Sequence, residues 1–343
     1  MSEAPSLMRQ EIEEIPEAVE RLLRDGGDDL RAAAEALRKA DPAYVCTVAR
    51  GSSDHACTYL KYGYEILLGL PVASLGPSVA SVYRAPLRLG GSACLSVSQS
   101  GRSPDITAMT KAARDGGALT VAITNDAASP LADTADLTVP IHAGPELSVA
   151  ATKTFVTSAV AGLAILAEVK GDAALLAALR ELPSALSAAV EIDWPEIREA
   201  LSGQDSLYTL GRGPGFAMSG EAALKFKETC RIHAESYSSA EVLHGPVSIV
   251  EAGFPVLCFA AGDAAEEAVS GIADEIAAKG GRVFVTSDQA KAAQRVAHVR
   301  TGHWLMDPLA LIVSFYAFVE RVAAERGIDP DVPRHLRKVT ETV

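Results

Sequence analysis

The sequence predicts an α/β chain made of two copies of one plan, each a parallel sheet wrapped by helices, and three observations carry the prediction. Short apolar runs alternate with helical patterns, as expected for strands joined by crossover helices. The order of elements repeats, with Arg50-Gly51 and Arg212-Gly213 lying 162 residues apart. Paired glycines, Gly116-Gly117 and Gly280-Gly281, end corresponding helices in the two halves. A repeat of that length is a duplicated domain, since solenoid units run to roughly 20 to 50 residues.

In the first half the apolar run from Tyr44 to Ala49 reads as a strand, Arg50-Gly51-Ser52-Ser53 as a tight turn, and the pattern reaching Leu68 as a helix. A second strand covers Ala93 to Val97, a helix Asp105 to Asp115, and a third strand Leu119 to Ile123 closes on Thr124-Asn125-Asp126. The second half returns the same series: strand Leu207 to Gly211, turn Arg212 to Gly215, and helix Met218 to Cys230. Strand Pro255 to Ala260, helix Ala264 to Lys279 and strand Val283 to Val285 follow, ending on Thr286-Ser287-Asp288. Residues 171–204, with Pro183 and Pro195 among helical stretches, form the connector. The expected division is a helical segment at 1–40, a first domain at 41–195 and a second at 196–343.

The 343 residues suffice for two cores, with 48% hydrophobic and 22% charged side chains. A net charge of -13 gives no footprint for nucleic acid or an anionic membrane, which call for a basic face. An anionic ligand must therefore be held locally. The runs Ala159 to Ala167 and Leu309 to Val319 fall short of the roughly 20 residues of a bilayer span and read as buried helices. The five cysteines have no metal-like spacing, and the first nine residues lack the apolar core of a signal peptide. A cytoplasmic protein with reduced thiols is expected.

Open parallel sheets bind ligands beyond the carboxyl ends of their strands. Of the loops there, Ser98-Gln99-Ser100-Gly101-Arg102-Ser103 is the richest, with Pro104 suited to a first helical turn and Ser103 to the N-cap. Hydroxyls, backbone N–H groups and a helix N-terminus aimed at one point suit a phosphate. The same residues would also appear if they only capped a helix. No Gly-Lys-Ser/Thr follows, so this is not a nucleotide P-loop, and Gly211-x-Gly213-x-Gly215 misplaces the third glycine of a dinucleotide fingerprint. Glu221, Lys225 and Glu228 share one helical face, a pattern that a solvated ion-pair ladder also produces. His244 lies at an abrupt helix stop before Gly245-Pro246, where surface and catalytic roles are both open. His233-Ala234-Glu235 lacks the P-C-x-x-C partner of a zinc deaminase, which leaves no metal reading.

At these residues the chain resembles the sugar isomerase (SIS) family, in particular the isomerase half of glucosamine-6-phosphate synthase (glutamine-fructose-6-phosphate aminotransferase) and its relatives that deaminate amino-sugar phosphates. The resemblance runs from Met8-Arg9-x-Glu11-Ile12 through Arg50-Gly51-Ser52-Ser53, S-Q-S-G at 98–101 and Val149-Ala150-Ala151-Thr152-Lys153. It continues through E-x-A-L-K-x-K-E at 221–228, Ile232-His233-Ala234-Glu235, Glu241-x-x-His244-Gly245-Pro246 and Pro333-Arg334-x-Leu336-x-Lys338. It implies two tandem SIS domains of three-layer, flavodoxin-like build and no cofactor.

By that resemblance, Ser98, Gln99, Ser100 and Ser103 bind a sugar phosphate, and Ser52, Ser53, Val149 and Ala151 line the same pocket. Glu228 matches the base that moves a proton between C1 and C2, and Lys225 a lysine supporting it. His244 matches a ring-opening residue donated across a homodimer, and Lys338 a lysine closing over the sugar. Arg50, Arg102 and Ala151 depart from the usual pattern, which leaves the identity of the sugar open. Ser2 after Met1 stands where a glutaminase cysteine would be, so the expected reaction is glucosamine 6-phosphate to fructose 6-phosphate and ammonia. Aldose-ketose isomerisation, fructosamine-phosphate cleavage, a glutaminase-less aminotransferase and a non-catalytic sensor are the alternatives.

Overall fold

The computed structural model describes residues 5–338. Met1 and Ser2, on which the expectation about a missing glutaminase turns, lie outside them. Two compact units share the chain: 14–146 with 153–183 and 336–338 make the first, and 5–13 with 147–152 and 184–335 make the second. The units are thus interleaved, where the sequence suggests consecutive blocks meeting near residue 195. Part of the reason lies at the start of the chain. Asp331 accepts the first N–H groups of helix Leu7–Glu13, from Leu7 at 2.6 Å and Met8 at 2.9 Å, and so ties that helix to the second unit.

The first unit contains five strands, β1 (Tyr44–Val48), β2 (Val72–Ser74), β3 (Ser92–Ser98), β4 (Leu119–Thr124) and β5 (Leu137–Pro140). They pair in parallel in the order β2-β1-β3-β4-β5. β3 is buried along its whole length, and helix Lys153–Lys170 is buried from Lys153 through Ala167. A helix apolar on every side belongs in the interior, as its sequence predicts. Cys46, Val48, Cys94, Ile106, Met109 and Ala122 form one core cluster of this unit.

The second unit repeats the arrangement with β6 (Ser206–Gly211), β7 (His233–Ser238), β8 (Pro255–Phe259), β9 (Arg282–Val285) and β10 (Gln294–Arg295), ordered β10-β9-β8-β6-β7 and all parallel. Read from its other edge, this is the strand order of the first sheet. The 162-residue spacing holds for structure too: Tyr44 and Ser206 begin strands, and Pro104 and Glu266 begin helices. β2, β5, β7 and β10 are absent from the sequence reading. They are short or polar strands at or next to sheet edges, where half-exposed side chains give no apolar run.

Among the described residues, helix Ala173–Val190 is long and apolar enough to cross a membrane by length and composition. Its Leu175, Leu179, Leu182, Leu186 and Ala189 are buried while Arg180 and Glu181 are exposed, the stripe of an amphipathic packing helix. Pro183 lies inside it. The five cysteines are all free and buried.

Candidate active site

In a parallel sheet of order 2-1-3-4-5, the chain leaves β1 and β3 toward opposite edges, and the crevice at that switch point accepts ligands. In the first unit the two loops flanking it are Arg50 to Ser53 after β1 and Ser98 to Ser103 after β3. Gly51 has φ 55° and ψ -133°, and Gly213, its counterpart in the second unit, has φ 59° and ψ -140°. Both backbones occupy a region open to glycine alone. Gly101 is constrained more tightly still. Its φ is +61°, and a Cβ there would stand 2.1 Å from the Ser129 hydroxyl oxygen.

The two copies part at the second loop. Ser98, Gln99, Ser100, Gly101 and Ser103 correspond, 162 residues on, to Ala260, Ala261, Gly262, Asp263 and Ala265. The second loop thus lacks every hydroxyl and carries a carboxylate where the first has glycine. The second unit joins its strand to its helix without a hydroxyl in this loop and without a left-handed residue at the position of Gly101, so a unit of this plan can close the connection without the hydroxyls.

The hydrogen bonds agree. Ser103 is the N-cap residue of helix Pro104–Asp115, with extended φ and ψ, yet its side chain makes no capping bond. The Gln99 amide likewise has no partner among the described residues. Ser98 Oγ accepts from the Gly101 N–H at 3.2 Å and Ser100 Oγ from the Arg102 N–H at 3.3 Å, each keeping a hydroxyl proton to donate. Ser52 and Ser53, both half-buried, begin helix Ser52–Leu68 on the neighbouring loop. Removing a true Ser N-cap costs about 1 kcal/mol. Ser103→Ala is expected to cost under about 0.5 kcal/mol in a chemical melt, as at an ordinary surface site, while weakening sugar-phosphate binding by roughly tenfold, the worth of one hydrogen bond. A large loss of stability with unchanged KM would return Ser103 to the role of a cap.

Arg102, one of the departures from the usual pattern, is ion-paired beside this loop. Its Nη2 donates to Asp126 at 3.0 Å, and that bond holds the Asp126 carboxyl below the usual range.

Lys338, also in the first unit, donates from Nζ to Glu146 Oε2 at 2.7 Å. The Glu146 carboxylate is fully buried and accepts in addition from the Thr154 N–H at 3.1 Å and the Thr154 hydroxyl at 2.7 Å. Burial alone would raise this carboxyl, but Lys338 and Thr154 reverse that and hold it below the ordinary 4.5. A depressed carboxyl stabilises the fold above its unfolded value, and that contribution is lost as pH falls through the folded value. Native protein is therefore expected to lose thermal stability as pH drops below about 4.5 by more than Glu146→Gln does, measured by melts across that range. Parallel curves would show that the pair contributes nothing.

The second unit holds the other candidates. Helix Pro214–Lys225 passes into a π-turn, Phe226–Cys230, which carries Glu228. Single π-turns are rare and concentrate at functional sites. Lys225 is fully buried, with Nζ 3.5 Å from Glu221 Oε1 and bonded to Glu228 Oε2. Glu221 is also fully buried and accepts from the Tyr316 hydroxyl at 3.0 Å, whereas Glu228 remains 22% exposed. The shared helical face is therefore a buried ionic cluster with one carboxylate reaching solvent, and not the solvated ladder that its spacing also allowed. Buried charges persist only when paired and hydrogen-bonded.

Val149 and Ala151, both partly exposed, lie on the segment Leu147–Thr152 of this unit. The buried Glu11 carboxylate holds the segment, accepting the N–H groups of Leu147 and, at 3.3 Å, Ser148. The Met8-Arg9-x-Glu11 motif acquires its physical meaning there. His244 ends a short 3-10 turn, Val242–His244, with its side chain exposed. His233 and Glu235 lie on β7, where Glu235 accepts from the Tyr237 hydroxyl at 2.9 Å.

Residues 37–167 and 200–301 match the SIS domain. The chain belongs to the SIS domain family. It is 35% identical over 327 residues to a glutamine-fructose-6-phosphate aminotransferase (isomerizing) of Symbiobacterium thermophilum, covering 88% of this chain and 51% of that protein. The SIS chain thus spans about half the length of the curated relative it matches. A solved structure from Silicibacter pomeroyi, provisionally called a phosphosugar isomerase, superposes with a TM-score of 0.93 at 66% identity, covering 95% of this chain and all of that one. The C-terminal domain of the Francisella tularensis glucosamine-fructose-6-phosphate aminotransferase superposes with a TM-score of 0.84 at 27% identity, over 96% and 99% of the two chains.

Four participants in the geometry of this SIS chain escaped the sequence reading: Asp105, Glu146, Glu221 as a buried group, and Tyr316. Asp105, in the first turn of helix Pro104–Asp115, is fully buried and accepts from Arg50 Nε at 2.5 Å. A carboxylate in a first helical turn is ordinarily read as a response to the helix dipole, so nothing in the sequence marks it.

Proposed function

We propose that this SIS chain acts in the cytoplasm on an amino-sugar phosphate, converting glucosamine 6-phosphate and water to fructose 6-phosphate and ammonia. The observation that carries the reading is the fully buried Lys225 at the end of its helix, bonded to Glu228 on the π-turn, an acid–base group built at some cost in desolvation. Ser98, Gln99, Ser100 and Ser103 supply the phosphate handle, with Ser52 and Ser53 on the neighbouring loop of the same unit. Glu228 takes the proton from C2 of the open-chain aldehyde, forming an enolamine, and returns it to C1. The resulting C2 imine adds water and expels ammonia. Lys225, bonded to Glu228 Oε2, holds that carboxylate in place between turnovers. His244 assists ring opening from a second copy of the chain in a homodimer, and Lys338 closes over the bound sugar.

A second reading, plain aldose-ketose isomerisation of a sugar phosphate, is favoured by the 66% identity to the chain provisionally called a phosphosugar isomerase. The proton transfer would be the same, with oxygen in place of nitrogen at C2. Purified protein incubated separately with glucosamine 6-phosphate and with glucose 6-phosphate, scored for ammonia and for ketose phosphate, tests both. Ammonia and fructose 6-phosphate in equal amounts from the first substrate are expected. Ketose from the second alone would replace deamination by isomerisation, and silence with both would sink the two readings together.

A further inference from the structure

One charged group at the first unit's switch point has no part in the reading above. Arg50 follows β1 by two residues, as Ser98 follows Ser96 on β3, and the parallel register pairs Val48 with Ser96. The register therefore carries Arg50 to the strand end where the hydroxyl loop begins. Its Nε donates to the fully buried Asp105 at 2.5 Å, while the side chain stays 51% exposed. Nη1 and Nη2 have no partner among the described residues. The charge also reaches Asp54, in the first turn of helix Ser52–Leu68, where burial raises the carboxyl and Arg50 opposes the rise.

The second unit supplies the comparison. Arg212 occupies the matching turn, but Glu267, the counterpart of Asp105, is exposed, and Arg212 has no ion pair among the described residues. Anchoring of the arginine accompanies the hydroxyl-bearing loop and is absent where the hydroxyls are absent. Arg102 also gives one nitrogen to a carboxylate, but its partner Asp126 is partly exposed, whereas Arg50 is fixed to a fully buried one, so Arg50 is the more firmly anchored guanidinium beside that loop.

We propose that Arg50 is a ligand of the substrate phosphate, fixed through Nε by Asp105 so that Nη1 and Nη2 are free to donate to the anion. A guanidinium held at one nitrogen has already surrendered much of its rotamer entropy, and its remaining donors match two phosphate oxygens. The phosphate site of this chain then joins neutral hydroxyls to one charged fork. The proposal rests on the assignment of the 98–103 loop as the phosphate handle.

Calorimetric titration of inorganic phosphate into the native protein, Ser100→Ala, Arg50→Ala, Arg50→Lys and the double variant Arg50→Ala/Asp105→Asn tests it, with a thermal melt of each. The double variant avoids stranding a buried carboxylate without its partner. Expected are a native-like melt for the double variant and at least a tenfold weakening of phosphate binding in both arginine variants, with Arg50→Lys between them and native. Native affinity in the double variant would overturn the proposal and leave Arg50 as a neutraliser of Asp105. If Ser100→Ala weakens binding while the arginine variants do not, Arg50 alone is wrong. If native protein binds no phosphate, the loop assignment fails and the proposal with it.

Discussion

Glu228→Gln is expected to lower turnover by about 10² to 10⁴, the range that a positioned general base contributes. The variant keeps the shape of the side chain and removes its ability to accept the C2 proton. It should fold, because Lys225 retains Glu221 at 3.5 Å and because Glu228 is the exposed member of the cluster. Substrate affinity should change little, since the phosphate handle lies elsewhere in the sequence. The informative measurement is therefore the split between kcat and KM for ammonia release, together with a melt. A variant within threefold of native kcat would remove Glu228 from the role of base while leaving the family assignment intact. Glu228→Asp, which retains the charge but retracts it by one carbon, should recover part of the rate.

Lys225→Met is expected to be the most damaging change to stability. It deletes the ammonium from a fully buried site between two carboxylates, leaving Glu221 charged in the interior. Breaking a buried pair by removing one partner costs about 3 to 5 kcal/mol, more than the hydrophobic packing of methionine returns. Urea unfolding would read the loss directly. Adding Glu221→Gln should recover a measurable part of it, because the stranded charge is then gone. A loss below about 1 kcal/mol, smaller than a buried pair implies, would mean that water enters the cluster or that Glu221 takes up a proton instead.

Lys225 also shows where sequence reading stops. Glu221, Lys225 and Glu228 stand at helical spacing whether their face meets water or the protein interior, so the pattern yields the face and not its environment. The environment comes from helix Asp307–Glu325, roughly ninety residues downstream, whose Tyr316 hydroxyl reaches Glu221. The π-turn is equally silent, because Phe226–Cys230 contains no glycine or proline to announce it. Arg50 and Arg102 look alike in sequence as extra positive charges. Only their partners separate them: Arg50 is fixed to the fully buried Asp105 and Arg102 to the partly exposed Asp126.

What the sequence determined by itself was the duplicated α/β plan, the buried strands β1, β3, β4, β6, β8 and β9, the buried helices, and the hydroxyl loop after β3. These follow from local periodicity, from apolar runs that sheets covered on both faces require, and from a repeat distance that counting reveals. What only the tertiary structure decided was the edge strands, the interleaving of the units, the tethering of Lys338 to Glu146, and the burial of the Lys225 cluster. Each of these depends on groups brought together from distant points in the chain. Burial sets the cost of a charge, and long-range pairing decides whether that cost is offset.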